Sequence, residues 1–250
     1  MPSWSEIFNK FSNTKEENKI AFLMSEKQKY LKEISKLTGR NVISYYSGWL
    51  QKPTASDVSI NDKDINAFME AVYKLDKSKG VDLILHTPGG DIAATEKIIN
   101  YLHSIFNNDI RAIIPQMAMS AGSMIAVSCK NIIMGKQSCL GPFDPQIGGI
   151  ACQSVLKEFE KAKEDIKINP HALGLWQVIF AKYNPTFLVT CEQAVELSND
   201  LAEDILSKTI TDVSKKKKIL GAFNNNATTK VHSRHLSKEK CKEVGLSIID

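Results

Sequence analysis

Two spacings of apolar residues alternate through the middle of the chain. Ile65, Phe68, Met69, Val72 and Leu75 recur at three- and four-residue intervals, which predicts a helix beginning at Ile60-Asn61-Asp62. "NVISYY" (Asn41–Tyr46), the run Val81–His86 and the run Ile110–Ile114 are instead short, β-branched and apolar, and read as strands. Between the last two lie a glycine-bearing turn and an amphipathic stretch over about residues 93–107. Strand, helix and strand in this order form a βαβ unit, whose strands should run parallel with a right-handed crossover. The pattern then repeats, with a short helix over 120–128 and a strand over 131–135. The fold class predicted is α/β, with helices covering a mostly parallel sheet.

The flanks read differently. Residues 1–37 are charged with scattered apolar positions and predict one or two amphipathic helices ending near Thr38-Gly39. From Ala151 onward the spacing turns helical, over 153–168, 172–182 and 191 to about 210, with Pro170 and Pro185 as punctuation. A polar loop over 221–230 and a last short helix and strand within 237–249 complete the chain. These boundaries predict an N-terminal helical segment (1–37), an α/β core (38–150) and a helical C-terminal part (151–250) packed on that core.

Composition narrows the possibilities. The 250 residues are 43% hydrophobic and 24% charged, as expected of a globular chain. A net charge of +4 is too small to imply nucleic acid, and the Lys215 to Lys218 run is expected to be a solvated helix end or loop. The five cysteines (Cys129, Cys139, Cys152, Cys191 and Cys241) are odd in number and form no C-x-x-C pair. That argues against a disulfide framework or structural zinc and fits a reducing cytoplasm. No apolar stretch approaches the roughly 20 residues a membrane span needs, and the N-terminus has charge where a signal peptide is apolar. A soluble protein that reaches a membrane only through a partner is expected.

The candidate chemistry sits at the carboxyl ends of two neighbouring strands, where ligands gather in open α/β sheets. One loop is Thr87-Pro88-Gly89-Gly90-Asp91, and the other runs from Gln116 to Gly122 through Ser120. Gly89-Gly90 permits φ > 0 and leaves amides uncovered, so that they can attract a developing negative charge. Ser120 at a helix start lies in a similar field, and a hydroxyl beside amide donors is what acyl transfer requires. Taken singly, the diglycine reads as a structural turn and Ser120 as a helix N-cap. The Walker, G-x-G-x-x-G and G-x-S-x-G patterns are absent.

In series, "HTPGGDIAATEKI", "MAMSAGSMIAV" and "MGKQSCLGPFDPQIGG" resemble the Clp protease/crotonase superfamily. Within it the chain is most similar to signal-peptide-peptidase-A-like serine proteases and the serine dehydrogenase proteinase family. "TGRNVISYYSGWLQKP" and "NPTFLVTCEQAVELSNDLAEDIL" extend the likeness over most of the chain after about residue 36. The resemblance implies a Clp/crotonase-like fold and a serine peptidase acting on a peptide or protein substrate, as a homo-oligomer and without cofactor or metal. It places the nucleophile at Ser120 and the oxyanion-hole amides at Gly90 and Ala121, with Gly89 in support.

For the base the resemblance gives two patterns. Clp-type peptidases carry a histidine in the strand that here reads "CLGPFDPQ", where this chain has Phe143 and Asp144. The signal-peptide-peptidase-A type uses a lysine some 40 to 50 residues after the serine, a window holding Lys161, Lys163 and Lys167. Lys163 lies one step from the apolar stripe of Val155, Phe159, Ala162 and Ile166, and burial there would favour the neutral amine a base must be. It is the expected partner in a Ser–Lys dyad, with Lys161, Lys167 and Lys182 as alternatives. Asp144 is expected to cap or orient the active-site loop. His232 and His235 in "VHSRH" show no third metal ligand and are expected to be surface or core-satisfied residues. His86 reads as a packing residue, and Met117, Met119, Met124 and Met134 as fillers of core gaps. Two rival readings keep the fold: an acyl-CoA enzyme that stabilises an enolate, and a non-catalytic oligomeric scaffold.

Overall fold

The structure, a computed structural model, describes residues 2–52, 54–225 and 229–249. The N-terminal pair is α1 (Trp4–Ser12), opened by a Ser3/Glu6 capping box, and α2 (Lys19–Thr38). α2 stops where Gly39 adopts φ 68°, a left-handed conformation that closes helices without steric cost in glycine. The chain then enters β1 (Asn41–Tyr46), followed by α3 (Asp64–Val72), β2 (Val81–His86), α4 (Ile92–Phe106) and β3 (Ile110–Ile114). The first, third and fifth of these match the apolar runs that predicted them.

The next segments are short: β4 (Met117–Ala118), α5 (Ala121–Ser128), β5 (Asn131–Met134), β6 (Cys139–Leu140), β7 (Gln146–Ile147) and β8 (Ile150–Ala151). α6 (Cys152–Ile168), α7 (Leu173–Phe180), α8 (Phe187–Ser207) and α9 (Val213–Phe223) follow. The chain ends through β9 (Leu236–Ser237), α10 (Lys238–Glu243) and β10 (Ile248–Ile249).

A five-stranded parallel sheet in the order β1-β2-β3-β5-β10 forms the centre. β2, inside the sheet, is buried on both faces: it buries Val81, Leu83 and Leu85, but also Asp82. That internal carboxylate is held by Arg40 Nε (2.9 Å) and by Arg111 Nε and Nη2 (2.9 and 2.7 Å). Ion pairing on both oxygens is what makes a charge tolerable in the middle of the sheet. α4 is capped by Asp91, whose carboxylate accepts the Ala94 amide at 2.7 Å, and buries Ile98, Ile99, Leu102 and Phe106. A second, smaller sheet has the order β4-β6-β9, with β6 and β9 antiparallel.

Several expectations are corrected. Ile60 is not helical; it is extended and bridges Gly90, so the helix opens only at Asp64, and Met69 faces solvent. The Lys215 to Lys218 run lies inside α9, whose buried face (Ile219, Ala222 and Phe223) follows the lysines. The loop expected over 221–230 therefore starts after Phe223, and residues 226–228 lie outside the described set. The C-terminal part does more than pack on the core: β10 extends the central sheet beside β5, and β9 extends the second sheet. The main apolar cluster accordingly runs from Ile43 to Leu246. A separate cluster of Cys152, Val155 and Cys191, flanked by Phe159, Tyr183 and Phe187, joins α6 to α8.

Candidate active site

The two loops singled out by sequence meet at one sheet edge. β2 continues into Thr87, which bridges Ala118 of β4: Thr87 N donates to Met117 O (3.3 Å) and Met119 N to Thr87 O (2.9 Å). On the other side Ile60 N donates to Gly89 O (2.8 Å) and Asp91 N to Ile60 O (2.9 Å). Side chains at 89 and 90 would not fit between these neighbours. A Cβ on Gly89 (φ 100°) would lie 2.7 Å from Met119 O and from Ser120 Cβ, and one on Gly90 (φ 157°) 2.3 Å from Ile60 N and O. The diglycine is thus the condition for packing the β2 tip directly against Ser120.

Ser120 itself has φ 50° and ψ −122°, and its side chain makes no capping hydrogen bond to α5. Ser120 thus stands at the N-cap position of α5 without its hydroxyl serving as the cap. Backbone in such a sparsely populated region costs about 1–3 kcal/mol and persists only where the surroundings over-determine it. Those surroundings are visible: Ser123 and Met124 amides donate to Ser120 O at 2.8 and 3.2 Å, and every residue of α5 is buried. Among the described residues, neither the Gly90 amide nor the Ala121 amide donates to a backbone carbonyl.

Ser120, Gly90 and Ala121 line one cavity of about 320 Å³. Phe143 and Asp144 close it from the segment between β6 and β7, Gln146 from the start of β7, Ala194 and Leu197 from α8, and His232 from the segment before β9. Asp144 is 1% exposed, accepts Gln146 Nε2 at 2.9 Å and pairs with His232 Nδ1 at 3.0 Å. It lines the same cavity as Ser120, Gly90 and Ala121. His232, by contrast, was expected at the surface or in the core and instead lines the cavity.

Lys163 lies elsewhere. Its side chain is 70% exposed and its ammonium sits 2.6 Å from Glu160 on the same helix. α6 buries Cys152, Val155 and Ala162, and the position one step from that stripe opens to water. Lys161, Lys167 and Lys182 are also exposed, and no lysine is among the residues lining the cavity. Among the described residues, neither Lys163 nor the other lysines of the dyad that the resemblance implied lines the cavity with Ser120.

Cys152, at the start of α6, is no rival nucleophile: burial first, and then the neighbouring Cys191 thiol, push its pKa up to about 12. His86 packs between the rings of Tyr46 and Trp49, with centroids 4.9 and 4.5 Å away, and burial pushes its pKa below the ordinary histidine value. Met124 and Met134 are core residues, while Met117 and Met119 are half-buried. His235 is exposed, and among the described residues no group of three or more His, Cys, Asp or Glu is placed to hold a metal ion. No helix of the described residues is long and apolar enough to cross a membrane.

A parallel sheet with a short second sheet alongside, built from repeated βαβ units, is the architecture of the Clp/crotonase class. The family described as "ClpP-like SDH-type serine proteinase" matches residues 13–249, and the chain belongs to it. Two relatives come from Methanocaldococcus jannaschii. Uncharacterized protein MJ0137 is 33% identical over 142 residues, covering 55% of this chain and 49% of that protein. Uncharacterized protein MJ1495 is 27% identical over 234 residues, covering 92% of this chain and 73% of that protein. The match thus spans about half the length of the first relative.

Proposed function

We propose that the protein hydrolyses peptide bonds through an acyl-enzyme formed on Ser120, with the amides of Gly90 and Ala121 receiving the oxyanion. The observation that carries this reading is Ser120 at φ 50°, its hydroxyl unused by the helix it precedes, lining one cavity with two unengaged amides. Attack on a scissile carbonyl moves negative charge to its oxygen, and each preorganised donor there is worth about 3 kcal/mol in the transition state. A serine so placed favours this reading over enolate chemistry, which needs the paired amides but no nucleophile. Among the described residues no lysine lines the cavity, so a Ser–Lys dyad is not part of this mechanism.

The substrate is a peptide or protein, entering beside the apolar wall of Met124, Phe143 and Leu197. Association of like chains is supported by Leu173, Leu175 and Val178, which stand exposed on α7. The five cysteines are unpaired and buried, which supports a reducing compartment. The decisive experiment is labelling with a fluorophosphonate probe: wild type should react and Ser120→Ala should not. Equal labelling of both, or of neither, overturns the proposal.

A further inference from the structure

The geometry points to α1 as a docking helix for a second copy of this chain, its apolar stripe packing antiparallel on the same stripe of that copy. The inference is independent of the chemistry at Ser120.

Trp4, Ile7, Phe8 and Phe11 recur at three- and four-residue intervals and so occupy one side of α1. Such a stripe is ordinarily covered by a core, yet neither α1 nor α2 buries a residue. With Leu23 of α2 the stripe lines a cleft of about 210 Å³, and every lining residue is apolar. Trp4 stands 77% exposed, and Ile20, one turn before Leu23 on α2, 78% exposed. Phe8 and Leu23 are exposed as well. The family matches residues 13–249, so α1 precedes the shared fold and its stripe is not what closes that core.

The size of the patch fits a protein partner. Large apolar side chains cover about 150–250 Å² each when buried, so these six at their observed exposures leave roughly 500 Å² open. That is the size of patch that marks interaction sites. Two copies packed together would cover about 1,000 Å², the area at which specific interfaces begin.

The stripe also reads alike from both ends. Reversing α1 about an axis between residues 7 and 8 sets Trp4 against the second copy's Phe11, and Ile7 against its Phe8. The result is a two-fold contact in which one patch serves both partners. Ser3, Ser5 and Ser12 beside the stripe are small and uncharged, which lets two helices approach. Glu6 and Lys10, the charged residues of α1, stand on one flank a turn apart. Reversal brings each level, to within one residue, with its opposite charge in the other copy. A bilayer surface would instead call for a cationic border, whereas α1 has one acid and one base, and Glu16 and Glu17 follow it.

Sedimentation velocity of the full chain over a range of concentrations reads the association. Phe8→Glu sets like charges beside the axis and should raise the dissociation constant by about 30-fold or more. Its melting temperature should be unchanged, because α1 buries nothing in the core. Disulfide cross-linking reads the orientation. The five native cysteines are buried, so an introduced surface cysteine is the one that reacts. Phe8→Cys, next to the axis, should link to its counterpart. Trp4→Cys should not, because its two copies lie about 10 Å apart along the paired helices. A mixture of Trp4→Cys and Phe11→Cys chains should link. Self-linking of Trp4→Cys would mean a parallel pair and overturn the inference. So would a Phe8→Glu chain that associates as wild type does, or a wild type that stays monomeric and binds neutral phosphatidylcholine vesicles.

Discussion

α5 and α6 both follow a short strand, and both were expected to supply a reacting side chain. α5 is buried from Ala121 to Ser128, and the serine before it is wedged against a glycine with no room for a Cβ. α6 buries three residues of its seventeen, and the lysine it was expected to contribute lies in a solvent-exposed ion pair with Glu160. Residue type was suitable in both cases. What separates them is constraint: the bridges Thr87–Ala118 and Ile60–Gly90 hold Ser120 in a conformation it would not adopt alone, whereas the Lys163 side chain is 70% exposed and paired with Glu160. A strained position in this protein is made by the backbone around it.

The strongest way to sharpen that contrast is Ser120→Gly. It removes the hydroxyl and should lower kcat by about 10⁶-fold. The glycine is at ease at φ 50°, so the same change should stabilise the fold by about 1 kcal/mol, which differential scanning calorimetry would read as a rise in melting temperature of about 2–4 °C. A fall in melting temperature would show that Ser120 is not strained. Gly90→Ala comes next. Its Cβ would meet Ile60 backbone at 2.3 Å, so labelling should drop by about 10²–10³-fold as the donor amide shifts, with lowered stability. An unchanged rate would remove Gly90 from the oxyanion hole.

Val155→Ala tests the other region. It hollows the small α6–α8 cluster and should cost about 2 kcal/mol in denaturant unfolding while leaving the probe reaction at Ser120 within a few-fold of wild type. Lys163→Ala should do least, changing stability by less than about 0.5 kcal/mol and labelling by less than about twofold. A tenfold loss of labelling there would return the lysine to the reaction and erase the contrast between the two helices.

Some of this was legible before any coordinates. β1, β2 and β3 are rich enough in β-branched, aromatic and other apolar residues for composition to mark them, despite Ser44, Asp82 and Arg111 within them. α4 carries its own cap in Asp91, and the pairing of Gly90 with Ser120 follows once two strands are known to be adjacent and parallel. β4 and β9 were missed because two residues cannot display an alternation. α9 was missed because four successive lysines precede its buried face. Ile60 was read as the start of a helix but was taken by the Gly90 bridge, tertiary pairing overriding a local pattern.

The order of elements, their approximate limits and the identity of the strained serine were therefore determined by the sequence itself, since helices, strands and tight turns arise from forces acting over a few neighbouring residues. Which side of α6 faces water, and which histidine stands against Asp144, were decided only by the tertiary structure. Bringing position 232 opposite position 144 requires closing a long loop, and that cost is met by the packing of the whole C-terminal part and by the register of β6 against β9, neither of which leaves a periodic trace along the chain.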